Sequence, residues 1–107
     1  MLTNAIKKTL KSNWGEKADT LHCYAEVKLI DPLSSWTCYI FAMDKEEETI
    51  HCLLYTDAIG IEICTQPWNE IQIKYNEEGE HPQIDEEYRR ITVVQLLKRL
   101  INDTRRN

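Results

Sequence analysis

Apolar and polar residues alternate from Leu21 to Ile30. Leu21, Cys23, Ala25, Val27 and Leu29 fall on one side, and His22, Tyr24, Glu26 and Lys28 on the other. A period of two predicts a half-buried strand. Asp31-Pro32-Leu33-Ser34-Ser35 then supplies turn chemistry: Pro32 presets its φ, and Asp31 and the serines can bond to nearby backbone. Trp36 to Met43 is apolar on both faces, the pattern of a central strand. Asp44 to Glu48 reads as an acidic hairpin turn. Thr49 to Thr56 is a third strand with Ile50, Cys52 and Leu54 on one face. Asp57-Ala58-Ile59-Gly60 turns the chain again, and Gly60 to Cys64 is a short fourth strand with Ile61 and Ile63 inward.

Helical spacing marks the two ends. Thr3 can cap a helix running to Asn13, in which Ala5, Ile6, Thr9 and Leu10 share a face. Trp14-Gly15 ends it, with Gly15 free to take a positive φ. Near the other end Thr92 can cap a helix whose Val93, Leu96, Leu97, Leu100 and Ile101 recur at helical spacing. Between them, Thr65-Gln66-Pro67-Trp68-Asn69-Glu70 reads as a helix start capped by Thr65 and reaching toward Tyr75, although Ile71 to Tyr75 also alternates as a strand would. Asn76 to Pro82 is a polar loop, followed by a short extended piece within Ile84 to Ile91. The expected architecture is a single α+β domain over residues 1–107. A four-stranded, mainly antiparallel sheet comes from residues 21–64, with the N-terminal and C-terminal helices packed on one of its faces.

A chain of 107 residues with 42% hydrophobic content can bury a core without staples. Its apolar runs are far shorter than a membrane span. The first residues place lysines inside an amphipathic pattern with no apolar signal core behind them, so a cytoplasmic location is expected. The net charge of −5 weighs against non-specific nucleic-acid binding. Acids concentrate from Asp44 to Glu48 and from Glu77 to Glu87, and bases lie toward the two ends.

These landmarks resemble a small family of uncharacterised proteins found on plasmids, conjugative elements and phages, known only as a domain of unknown function. The matching stretches are Lys28-Leu29-Ile30-Asp31-Pro32 with Ser35-Trp36-Thr37-Cys38-Tyr39, then Ile59-Gly60-Ile61-Glu62-Ile63 through Thr65 to Trp68-Asn69-Glu70-Ile71, and finally Ile84-Asp85-Glu86-Glu87-Tyr88 with Thr92 and Leu96-Leu97. The serine–tryptophan–threonine stretch is the most specific. This chain departs from the family in carrying Ile61 and Ile63 where aromatics and glycines are usual, and in its heavier acidic loops. The resemblance implies a mobile-element origin and an α+β fold, and it implies no reaction.

The candidate chemistry is sparse. Cys23, Cys38, Cys52 and Cys64 lack the short paired spacing of zinc knuckles, and their strand parities disagree, so packed, reduced thiols without metal are expected. His51 and Cys52 are sequence neighbours and point to opposite faces of a strand, which prevents direct pairing. Cys64, just before a helix start, is the best nucleophile candidate of the four. With three glycines in all, no phosphate-cradling loop exists. The aromatics Trp36, Tyr39, Phe41, Trp68 and Tyr88 read as core rather than as base-stacking platforms. No catalytic residue, metal or cofactor is assigned.

The expected function is that of a non-enzymatic mobile-element protein that binds and occludes a host protein with a basic surface, a defence inhibitor of the anti-CRISPR kind. Glu46, Glu47, Glu48, Glu77, Glu78 and Glu80 are its expected partner-binding residues, with Trp68 as an anchor. The alternatives are a nucleic-acid-associated accessory protein using Arg89, Arg90, Lys98, Arg99, Arg105 and Arg106, and a small enzyme whose site leaves no sequence pattern. No membrane contact is expected.

Overall fold

The computed structural model describes residues 2–73 and 82–105, with the side chains of residues 73 and 105 left aside. The chain opens with α1 (Asn4–Asn13) and a short α2 (Glu16–Asp19). Strands β1 (Tyr24–Ala25), β2 (Val27–Ile30), β3 (Thr37–Met43), β4 (Thr49–Thr56) and β5 (Gly60–Pro67) follow. Then come α3 (Trp68–Ile73), β6 (Gln83–Ile84), β7 (Ile91–Thr92) and α4 (Val93–Arg105). The main sheet has the order β5-β4-β3-β2-β6, and β1 pairs with β7 in a small second sheet. All of these pairings are antiparallel.

Both terminal helices form as their caps predict. The Ile6 amide donates to Thr3 Oγ1 at 3.2 Å, and Gly15 takes φ +96° just beyond α1. Thr92 and Gln95 close a reciprocal box: the Gln95 amide donates to Thr92 Oγ1 and the Thr92 amide to Gln95 Oε1. Two further amides at the start of α4, those of Val93 and Val94, donate to the carbonyls of Cys23 and Leu21. These bonds satisfy groups that a helix start otherwise leaves open.

The expectation of one four-stranded sheet with both helices on one face needs correction. Ile6 and Leu10 of α1 pack with Val27, Leu29, Cys38, Ile40, Ile50, Cys52, Trp68 and Ile71, whereas Val93 and Leu96 of α4 pack with Cys23, Ala25, Tyr39, Phe41 and Leu53. The helices therefore cover opposite faces, here called the α1 face and the α4 face. The central strand β3 is buried along nearly its whole length because both its faces are covered.

A break in the first predicted strand explains the second part of the difference. At Glu26 the chain leaves the ladder. Ala25 and Cys23 go to the α4-face core, and Val27 and Leu29 go to the α1-face core. The break faces a bulge in β3, where the register shifts between Ile40 and Ala42. Beyond Ile40, β3 has no β2 neighbour, and Asn13 takes the vacated place. Its Nδ2 donates to the Phe41 carbonyl at 3.0 Å, and the side chain is 6% exposed. A bulge leaves an unpaired backbone group, and Asn13 satisfies it.

Two more expectations shift. Thr65 does not cap a helix, because Thr65, Gln66 and Pro67 continue β5 opposite His51, Ile50 and Thr49. The helix starts at Trp68, whose amide donates to the Glu48 carbonyl at 2.8 Å. Ile63 is not inward but 41% exposed, since β5 lies at the sheet edge with no strand beyond it among the described residues. No helix among the described residues is long and apolar enough to cross a membrane.

Candidate functional site

The turns at one end of the sheet are held rigidly and present bare apolar groups. In the β2–β3 turn, the Asp31 carboxylate accepts from the Leu33 amide at 3.0 Å and the Ser34 hydroxyl at 2.8 Å. The next turn along, between β4 and β5, is tied to it: the Asp57 amide donates to Ser35 Oγ at 2.9 Å. Thr56 Oγ1 accepts from the Ile59 amide, and Gly60 takes φ +88°. Leu33 and Ile59 stand on these two tips, each 78% exposed. Beside Ile59 lies a recess of about 110 Å³ lined by Trp36, Leu54, Thr56, Gly60 and Glu62. Leu33 and Ile59 are the two most exposed large apolar side chains among the described residues, and the recess lies beside Ile59. Asp57 and Glu62 give this patch an acidic rim.

The acidic turn lies at the opposite end of β4, eight residues away and so roughly 25 Å distant. Asp44 organises it: one carboxylate oxygen accepts from the Glu48 and Thr49 amides at 2.8 and 3.0 Å. Glu46 and Glu48 are exposed. Glu47 behaves differently. Its backbone sits at φ +60°, and its carboxylate bridges Lys7 and Lys11 of α1, at 2.8 Å each. The hydrogen bonds from Lys11 and Lys7 hold its pKa down at about 2. Glu47 therefore joins the turn to α1, whereas Glu46 and Glu48 have no such partner among the described residues. Glu77, Glu78 and Glu80 lie outside the described residues. Trp68, the expected anchor, is 5% exposed inside the α1-face core, and a side chain buried in the monomer is not offered to a partner.

The cysteines are four free thiols, and three share a face. Cys38, Cys52 and Cys64 all belong to the α1 face, and Cys23 to the other. Strand parity alone does not reveal this, because it presumes a single apolar face. The sheet buries both, so Ile61 can serve the α4 face while Cys64 serves the α1 face. Cys52 and Cys64 are direct cross-strand partners, with Sγ atoms 3.9 Å apart. The hydrogen bond with Cys38, together with burial, pushes the Cys52 thiol up; burial lifts that of Cys64 to about 11. Such thiols are weak nucleophiles at neutral pH. Among the described residues no group of three or more His, Cys, Asp or Glu is placed to hold a metal ion.

His51 points to the α4 face, away from Cys52. Its ring stacks on Trp14 at 4.3 Å, and Nδ1 lies 2.8 Å from Thr65 Oγ1. Burial lowers its pKa, which favours the neutral ring. The basic residues near the C-terminus are interleaved with acids. Arg90 closes on Glu26 at 2.9 Å and lies over the Tyr24 ring, while Arg89 and Arg99 line one recess with Asp85, Glu87 and Asp103. Comparison with family models, with curated proteins and with solved structures returns no match.

Proposed function

We propose that this protein is a non-enzymatic binding module that occludes another protein through the turn end of its sheet. The observation that carries this reading is the pair Leu33 and Ile59, both 78% exposed on turns cross-linked by the Ser35–Asp57 hydrogen bond. An apolar centre with a polar rim is the usual anatomy of a protein interface. Asp57 and Glu62 at the rim, together with Glu46 and Glu48 at the far turn, favour a partner with a basic surface. Those acids steer its approach, while the apolar tips hold the complex. The finer reading, a mobile-element inhibitor that blocks a host defence factor, draws its support from the resemblance of the Ser35-Trp36-Thr37 region and its neighbours.

The nucleic-acid alternative has less support, because acids stand among the arginines that a phosphate array would have to meet. The test is a pair of variants, Leu33→Asp and Ile59→Asp, assayed for capture of partner protein from a lysate of the source cells. Each should keep the wild-type melting temperature and lose capture. Retained capture in both, or tight binding of bare DNA at moderate salt, would displace this reading.

A further inference from the structure

Cys52 and Cys64 stand directly opposite each other on β4 and β5, with Sγ atoms 3.9 Å apart. Opposed residues in an antiparallel ladder have Cα atoms about 4.5–5.5 Å apart. A disulfide spans about 4.4–6.8 Å between Cα atoms, so neither strand has to slip for the two sulfurs to bond. Cys38 also meets Cys52, but its cross-strand partner is Leu54, which leaves it one diagonal step away. The two opposed thiols differ in access. Cys52 is 0% exposed, and Cys64 is partly open on the edge strand. Gln66 Nε2 donates to Cys64 Sγ at 3.4 Å, which places a donor on the sulfur that solvent reaches.

We propose that Cys52 and Cys64 form a dithiol site for small-molecule disulfides of the glutathione class, closing to an intrachain bond that fastens the edge strand β5 to β4. The Cys64 thiolate attacks one sulfur of the reagent, whose S–S bond breaks; the departing thiolate takes up a proton. Cys52 then attacks the Cys64 sulfur of the mixed disulfide, and its proton passes to the departing reagent sulfur, which leaves as the second thiol. Two protein thiols are oxidised by two electrons, and one reagent disulfide becomes two thiols. Gln66 is a positioning residue that steadies negative charge on Cys64. Burial lifts the Cys64 thiol to about 11, and the Cys38 hydrogen bond with burial raises that of Cys52, so closure is slow at neutral pH and quickens as pH rises.

The test uses the whole folded protein and oxidised glutathione, from about pH 7 to about pH 9, with acid quenching, alkylation and peptide mapping. The expected product is two hydrogens lighter, carries one Cys52–Cys64 peptide and reverts with dithiothreitol. Its rate should rise about tenfold per pH unit, and its melting temperature should lie about 10–15 °C above that of the reduced form. Cys38→Ser should still close, Cys64→Ser should not, and Gln66→Leu should close more slowly at a given pH. Should Cys64→Ser fail to fold, Cys64→Ala reads the same loss. A mixed disulfide that persists on Cys64, a Cys38–Cys52 link, or no reaction of the folded protein at the upper pH would each overturn the proposal.

Discussion

Asn13→Ala removes the one buried polar side chain among the described residues, at the point where the sheet changes its pairing. Asn13 Nδ2 donates to the Phe41 carbonyl at 3.0 Å, and the Cys23 thiol, a weak donor, reaches it at 3.9 Å. Alanine therefore leaves the carbonyl buried and nearly unpaired. Loss of a buried partner costs about 1–3 kcal/mol, more than the net worth of the bond itself. In urea the midpoint should fall by roughly 1 M with the slope m unchanged. Asn13→Leu separates the causes, since it keeps volume and removes the donor. If the missing donor dominates, leucine is as destabilising as alanine. An alanine variant within about 0.5 kcal/mol of wild type, or full rescue by leucine, would refute the view that Asn13 satisfies the bulge.

Other outcomes are expected from the same structure. Leu96 is 3% exposed, so Leu96→Ala should cost about 2–5 kcal/mol in chemical denaturation, and the half-buried Leu97→Ala clearly less. Glu47 has a pKa lowered to about 2 from 4.5, so its contribution to stability is present above about pH 4.5 and is lost as pH falls toward 2. Melting curves of Glu47→Gln and wild type should accordingly differ near neutral pH and converge near the acid limit. Reversing Glu46 and Glu48 together to lysine, with Glu47 left in place, should keep the melting temperature and slow partner association. Equal on-rates measured by surface plasmon resonance would remove the steering role.

The hairpins are legible in the sequence because each turn carries its own chemistry: Asp31-Pro32, the Asp44 cap and Gly60 at positive φ need no distant information. The capped ends of α1 and α4 are legible for the same reason. What alternation cannot show is which face a run of apolar residues serves once both faces are buried. Leu21 to Leu29 reads as one strand with one apolar side, and the break at Glu26 splits that side between two cores. The same ambiguity hides the meeting of Cys52 with Cys64. Of the proposed contact surface, Ser35 and Trp36 stand out as sequence, but the exposure of Leu33 and Ile59 does not, since apolar residues in turns look like any others until the turns are docked side by side. Glu47 shows the converse: a charge run reads as a solvated face, yet its middle member is held by two lysines brought over from α1.

Site-specific photocrosslinking in the source cells tests the central claim most directly. A photoreactive phenylalanine is placed at Ile59 on the turn end, at Leu33 on its neighbour, and at Lys98 on the exposed side of α4. The account predicts a discrete protein adduct from Ile59 and Leu33 and none from Lys98. Adducts from Lys98 alone, or crosslinks to nucleic acid in place of protein, would contradict it.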